Sequence, residues 1–143
     1  MIDQTPAASG GETPGSGLRV LVVDDRPDAA DTLALLLEVW GHRPLVAYNA
    51  VTALELSLSQ RPDVVLLDVG LPGMDGREVA RRIRRQPGMA GVLLVAVTGY
   101  GGETEQHSSQ EAGFDLHLLK PIDPEPLREL LAVRRRRLQD GGP

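Results

Sequence analysis

The sequence predicts a doubly wound α/β fold: a five-stranded parallel sheet, strand order 2-1-3-4-5, with five helices divided between its two faces. Three observations lead there. Short, almost wholly apolar runs recur along the chain, as expected of strands covered on both sides. Segments of helical periodicity alternate with them, which is the pattern of a parallel sheet wound by crossover helices. Polar residues with chemistry to offer sit directly after the apolar runs, where open parallel sheets bind their ligands.

Residues 18–23 form the first apolar run and the first expected strand. Over 27–40, Ala30, Leu33, Leu36, Leu37 and Trp40 fall on one stripe and Gly41 supplies a stop, so a helix is expected. The second strand is placed at 44–48. Asn49 is a good N-cap for a helix over 50–60, in which Ala53, Leu54 and Leu58 repeat helically. Residues 63–67 give the third strand, and the Gly- and Pro-rich stretch 70–76 gives a loop. The helix expected over 77–86 is amphipathic with many arginines outward, and 91–97 is the fourth strand. Residues 103–112 are weakly helical with few apolar anchors, so they are expected to form the most mobile helix. The fifth strand is placed at 114–119. Asp123 caps a last helix, with Pro124 at its first position and Leu127, Leu130, Leu131 and Leu138 along one side.

A length of 143 residues suits one domain, expected over 18–138. Residues 1–17, rich in Gly, Pro, Ser and Thr, read as a flexible tail or linker, and 139–143 as a flexible C-terminal tail. Lys and Arg total 15 against 20 Asp and Glu, a net charge of −5 that argues against general nucleic-acid binding. The chain has no cysteine, which excludes disulfides, thiolate nucleophiles and iron–sulfur or zinc–cysteine sites. No apolar run approaches the ~20 residues of a membrane span. The first 17 residues lack the basic start and apolar stretch of a signal peptide, so a cytoplasmic protein is expected.

The first strand is followed by Asp24-Asp25, the third by Asp68, the fourth by Thr98 and the fifth by Lys120-Pro121. In the expected order the winding reverses between the first and third strands, so Asp24, Asp25 and Asp68 converge on one pocket with Thr98 and Lys120 beside it. Three carboxylates held close repel one another unless a cation or proton intervenes. Acidic oxygen ligands with room for water suit magnesium or manganese better than zinc. A lysine and a hydroxyl add donors for an anion. Together these are the groups that phosphoryl transfer to an aspartate requires: the carboxylate attacks while metal and lysine neutralise the transferring oxygens.

The segments VLVVDD, VVLLDVGLPGMDG, VAVTGYG and LHLLKP closely resemble the receiver domain of two-component response regulators, whose fold is flavodoxin-like. The likeness covers 18 to about 138 with the characteristic positions in order. It implies that Asp68 is the phosphoacceptor and Asp25 the main magnesium (Mg2+) ligand, with Asp24 assisting through water and the Gly70 carbonyl completing the protein ligands. It further implies that Thr98 hydrogen-bonds the phosphoryl group, that Lys120 pairs with it, and that Lys120–Pro121 is cis. The implied donor is a histidine kinase or a histidine phosphotransfer protein, and a homodimer is a further candidate assembly. Phosphorylation is then expected to bias a two-state surface around the fourth helix and fifth strand. Such a chain is a signalling module rather than an enzyme, either standing alone or cut from a hybrid histidine kinase.

His117 departs from the pattern, because receivers commonly carry Tyr or Phe there as a rotating switch. An imidazole titrates near neutrality, so any activation change is expected to depend on pH around ~6.5. Gly70 and Tyr100 occupy the positions that surround the attacking water in the family. Gly70 offers no side chain to orient that water and Tyr100 is placed to roof the site, so a long-lived acyl phosphate is expected.

Plainer readings compete at each position. An aspartate pair after a strand often serves only as a helix N-cap. His42 and His107 are expected at the surface. Arg134 to Arg137 read as a solvated helix end that complements the helix dipole, with docking of an acidic partner or nucleic acid as the lesser alternative. Leu35 and Val39 lie off the core stripe and are candidates for partner contact. A flavodoxin-like electron carrier would share the fold, but Asp24-Asp25 would repel a flavin phosphate. A magnesium phosphohydrolase lacks a further acid/base carboxylate here, and there is no Gly-x-Gly-x-x-Gly after the first strand to favour a dinucleotide. A phosphorylation-independent interaction module is the remaining rival.

Overall fold

The computed structural model describes residues 17–99 and 112–140. Its elements are β1 (Arg19–Val23), α1 (Pro27–Val39), β2 (Arg43–Ala47), α2 (Ala50–Gln60), β3 (Val64–Asp68), α3 (Gly76–Arg85), β4 (Leu93–Thr98), β5 (Leu116–Leu119) and α4 (Pro124–Gln139). All strand pairs are parallel, in the order β2-β1-β3-β4-β5. The described residues therefore hold the expected sheet and four of the five expected helices; the other, at 103–112, lies outside them but for Ala112.

Alternation along each strand explains why the runs are apolar throughout. Successive side chains point to opposite faces, and both faces are covered. Leu21, Val23, Val65, Leu67, Leu94 and Ala96 pack in one core with α2 and α3 residues such as Ala53, Val79 and Ile83. Val20, Val22, Val64, Leu66, Val95 and Val97 pack in the other with Ala30 and Leu37 of α1 and Leu127 and Leu131 of α4. Edge strands depart from this pattern. In β2 only Ala47 is buried, and in β5 Leu116 and Leu119 are exposed. A strand with one neighbour receives less helical cover than the central three, so the expectation of strands buried on both faces fails at the two edges.

Local chemistry sets the helix ends. Asn49 caps α2 by accepting from Thr52 N at 2.8 Å, Asp75 caps α3, and Asp123 caps α4 with Pro124 behind it. On the expected stripes, Leu58 and Leu138 prove exposed, whereas Trp40 is half-buried beneath the Arg128 guanidinium, 5.7 Å from its ring centroid.

One surface expectation is overturned. His42 is buried, because the turn after α1 folds it under the start of β1, where its Nδ1 accepts from Leu18 N at 3.0 Å. Many of the α3 arginines do face outward, Arg82 and Arg85 exposed among them, and Arg84 is an exception. Arg84 turns in to donate to the carbonyls of Ala90, Val92 and Gly113 and to Asp115 at 3.0 Å. It thereby ties the end of α3 to the segments that lead into β4 and β5. Arg84, Arg134 and Arg137 line a groove of about 790 Å³ with the starts of β4 and β5, at the end of the sheet opposite Asp24 and Asp68. Helices antiparallel to the strands deliver their arginine-rich last turns there.

Candidate functional site

The ladder itself carries two of the site residues. β3 and β4 run one residue further than the sequence suggested, so Asp68 and Thr98 are their last members, paired in register with Val97 and Leu119. Lys120 follows directly, its N–H donating to the Thr98 carbonyl at 2.9 Å, and its peptide bond to Pro121 is cis. Asp24 is fixed by its own N–H, which donates to the Ala47 carbonyl of β2 at 3.1 Å. Four neighbouring strand ends thus present Asp24, Asp68, Thr98 and Lys120 together.

Asp24, Asp68 and Thr98 are buried, whereas Asp25 is exposed. One oxygen from each of Asp24, Asp25 and Asp68 can be chosen so that all lie within 4.8 Å of one another. Lys120 Nζ donates to Asp68 Oδ2 at 3.0 Å and to Asp24 Oδ2 at 3.4 Å. Burial alone would lower the lysine pKa, but the hydrogen bond and charge of Asp68, backed by Asp24, outweigh it and hold Lys120 above its ordinary value. Lys120 is also the only lysine in the chain. The second oxygens are held by backbone: Asp24 Oδ1 accepts from Arg26 N at 3.0 Å and Asp68 Oδ1 from Gly70 N at 2.9 Å. Neither aspartate is the N-cap of α1, a place that falls to Arg26; Asp24 holds the Arg26 N–H just before the helix while its other oxygen faces the lysine.

The loop after β3 is set by Gly76. A Cβ on it would stand 2.7 Å from Val69 Cα and 2.9 Å from the Asp68 carbonyl, so only glycine lets α3 start against the strand end. A Cβ at Gly70 would lie 3.6 Å from Asp68 Oδ1, so a side chain there would lean on the carboxylate.

Two clefts adjoin Asp68 and Asp24. One, about 470 Å³, is lined by Asp68, Val69, Gly70, Asp75, Arg77 and Thr98 among others. The other, about 560 Å³ and mostly apolar, runs between α1 and the segment after β5, with Asp24, Arg26, Leu33, Leu36, Lys120 and Ile122 on its walls. Leu35 and Val39, the candidates for partner contact, are 63% and 76% exposed on α1.

Arg77 is the residue that the sequence did not single out. At the second position of α3 it reads as one more solvated arginine, yet it is turned into the cleft beside Asp68 and Thr98. Its signal was its place directly after the Asp75-Gly76 cap, where a first-turn side chain points back toward the strand ends. His117 is half-buried on β5, its ring 6.4 Å from that of Phe114. Burial and then the Arg77 charge hold its pKa below the usual histidine value, and its buried Nε2 has no hydrogen-bond partner among the described residues. Tyr100 and His107 lie outside the described residues.

Residues 20–132 match the family model for the response regulator receiver domain. The chain belongs to that family. A 14.6 kDa uncharacterized protein of Leptolyngbya boryana is 38% identical to this receiver over 112 residues, covering 78% of this chain and 86% of that one. The phosphate regulon transcriptional regulatory protein PhoB of Pseudomonas aeruginosa is 34% identical over 127 residues, 89% of this chain, which spans 54% of that longer protein. Among solved structures, the receiver domain of a sensor histidine kinase from Pseudomonas aeruginosa PAO1 aligns with a TM-score of 0.76 at 27% identity, covering 84% of this chain and 98% of that one. That structure holds a magnesium ion coordinated in its active site cleft. Receiver domains are signalling modules of two-component systems that work with histidine kinases or phosphotransfer proteins, and they bind Mg2+ in the active site. Among the described residues no helix is long and apolar enough to cross a membrane.

This receiver's own residues fit such an ion. Three carboxylates can place an oxygen each within 4.8 Å of one another, two of them share Lys120, the donors are hard oxygens, and the exposure of Asp25 leaves one side open for water. Gly70 presents its N–H to Asp68, which leaves its carbonyl oxygen without a role in that contact.

Proposed function

We propose that this receiver accepts a phosphoryl group from a phosphohistidine donor onto Asp68, as one step of a two-component phosphorelay. The observation that carries the reading is Lys120 Nζ at 3.0 Å from Asp68 Oδ2, within a trio of carboxylates and beside the buried Thr98.

An Asp68 oxygen attacks phosphorus as the bond from phosphorus to the donor nitrogen breaks, and the electron pair leaves with the imidazole. Gly70 N–H and Lys120 hold the carboxylate so that it cannot rotate away from the attack direction. Lys120 then shifts its charge toward the transferred oxygens, and the Thr98 hydroxyl donates to one of them. Asp24, Asp25 and Asp68, with the Gly70 carbonyl, would hold Mg2+, whose chemistry when bound is to neutralise those oxygens as a Lewis acid. The apolar cleft along α1, lined by Ala29, Leu33 and Leu36 of that helix, suits a helix of a histidine kinase or phosphotransfer protein, and Leu35 and Val39 are exposed on the same helix. In this reading the receiver unit runs over 18–138 and acts in the cytoplasm, with His117 as its switch.

The test is intact-protein mass after incubation with acetyl phosphate, with Mg2+ and with a chelator, beside Asp68→Asn. The reading expects one phosphoryl increment that needs both the metal and Asp68. An increment that survives Asp68→Asn or the chelator would overturn it.

A further inference from the structure

We propose that Arg77 is a second phosphoryl-binding cation of this site, exchanging its contact with Asp75 for the oxygens of the group arriving at Asp68. The proposal rests on the reading of Asp68 as phosphoacceptor and deepens it.

Arg77 and Lys120 enter the site from different elements. Lys120 comes from the end of β5 and shares the α1 cleft with Asp24, whereas Arg77 comes from the first turn of α3 and shares the other cleft with Asp68 and Thr98. The Arg77 side chain is only 16% exposed, so its charge acts in a poorly screened setting, while that of Asp75 is 56% exposed. Its guanidinium reaches Asp75 at 3.4 and 3.5 Å, well beyond the roughly 2.7–2.9 Å of a strong charge-assisted hydrogen bond.

Charge counting supplies the reason for the exchange. Three carboxylates are balanced by one lysine and one divalent cation. Phosphorylation turns the single charge of Asp68 into an acyl phosphate carrying about −1.5 to −2, by analogy with the phosphate esters of other side chains. The site then lacks about half to one positive charge, and Arg77 stands on a wall of the same cleft. A planar fork of donors suits two oxygens of one phosphoryl group. In the transfer itself the Asp68 oxygen–phosphorus bond forms, the phosphorus–donor bond breaks, and its electron pair departs with the donor. Arg77 gains or loses no proton and holds two of the oxygens throughout.

The experiment is the rate of phosphoryl gain by mass at several acetyl phosphate concentrations with saturating Mg2+. It compares the wild type with Arg77→Met, which keeps the stem, and Arg77→Lys, which keeps the charge. Mg2+ affinity by calorimetry and Tm are measured alongside. At low acetyl phosphate, Arg77→Met should be about tenfold slower, roughly 1.4 kcal/mol. Its half-saturating concentration should rise, its Mg2+ affinity and Tm should stay near wild type, and Arg77→Lys should run faster than Arg77→Met. Equal rates in wild type and Arg77→Met overturn this proposal alone. A slow Arg77→Met whose Mg2+ affinity or Tm falls in step, with Arg77→Lys no faster, assigns Arg77 to packing and overturns it too. A wild type that gains no phosphoryl at Asp68 overturns both readings together.

Discussion

Lys120 Nζ bridges two carboxylates, 3.0 Å from Asp68 and 3.4 Å from Asp24, and no other side chain in the protein carries an amine. Its pKa is raised because Asp68 and Asp24 favour the ammonium over the burial that opposes it. The neutral amine, which is the acylated form, is therefore scarce. At pH 8 an activated ester should label Lys120 more slowly than an exposed lysine does. Adding Mg2+, which neutralises the same carboxylates, should speed labelling about threefold or more. Peptide mapping separates this site from the N-terminal amine, and slower labelling with Mg2+ would contradict the arrangement.

Gly76 makes a prediction with a built-in control. Gly76→Ala drives a Cβ to 2.7 Å from Val69 Cα, so either β3 or α3 must shift, at a cost of about 2–3 kcal/mol. Gly91→Ala meets nothing within 4 Å and should change stability by less than about 0.5 kcal/mol. Urea unfolding of the two variants measures the difference.

His42 holds the Leu18 N–H that no strand neighbour reaches. His42→Leu leaves that buried donor unsatisfied, and should cost about 1–3 kcal/mol by urea unfolding. A neutral result would mean that water replaces the imidazole at the entry to β1.

His117 gives the pH dependence. Its folded pKa is lowered, first by burial and then by Arg77, so the folded state binds fewer protons than the unfolded chain. Its contribution to stability is complete above the unfolded value of about 6.5 and is lost as pH falls through that value toward the folded one. Wild-type Tm should therefore drop more than that of His117→Phe between pH 7.5 and pH 5.5, by thermal melts in matched buffers. The lowered pKa also moves any switching by this residue below the ~6.5 expected from the free imidazole.

The site's frame was legible because each of its members directly follows an apolar run. Asp24, Asp25, Asp68, Thr98 and Lys120 needed only the parallel winding to be brought together, and strand order decided which ends adjoin. Arg77, Arg84 and His42 were not legible for a common reason. Each is polar at a position where periodicity reads as surface, yet Arg77 lines the cleft beside Asp68, Arg84 reaches three carbonyls from two loops, and His42 accepts the Leu18 N–H. Edge strands misled in the opposite sense, since apolar residues in β2 and β5 read as doubly buried although only the sheet's interior strands are. The expectations for Tyr100 and the helix at 103–112 fall outside the described residues.

Among the described residues, the arginine-rich helix ends and the aspartate trio set opposite charges at the two ends of the strands, although the chain's net charge is only −5. In encounter terms, and on the reading of Asp68 as phosphoacceptor, a small anionic donor is drawn toward the arginine end and away from the aspartates until Lys120 and Mg2+ together offset their charge. Salt levels both fields within about a Debye length, roughly 8–10 Å at ordinary ionic strength. Reactivity toward such donors is then governed by the medium as well as by the side chains. A protein donor that offers its own cationic rim to the aspartate pole would escape that penalty and approach already oriented.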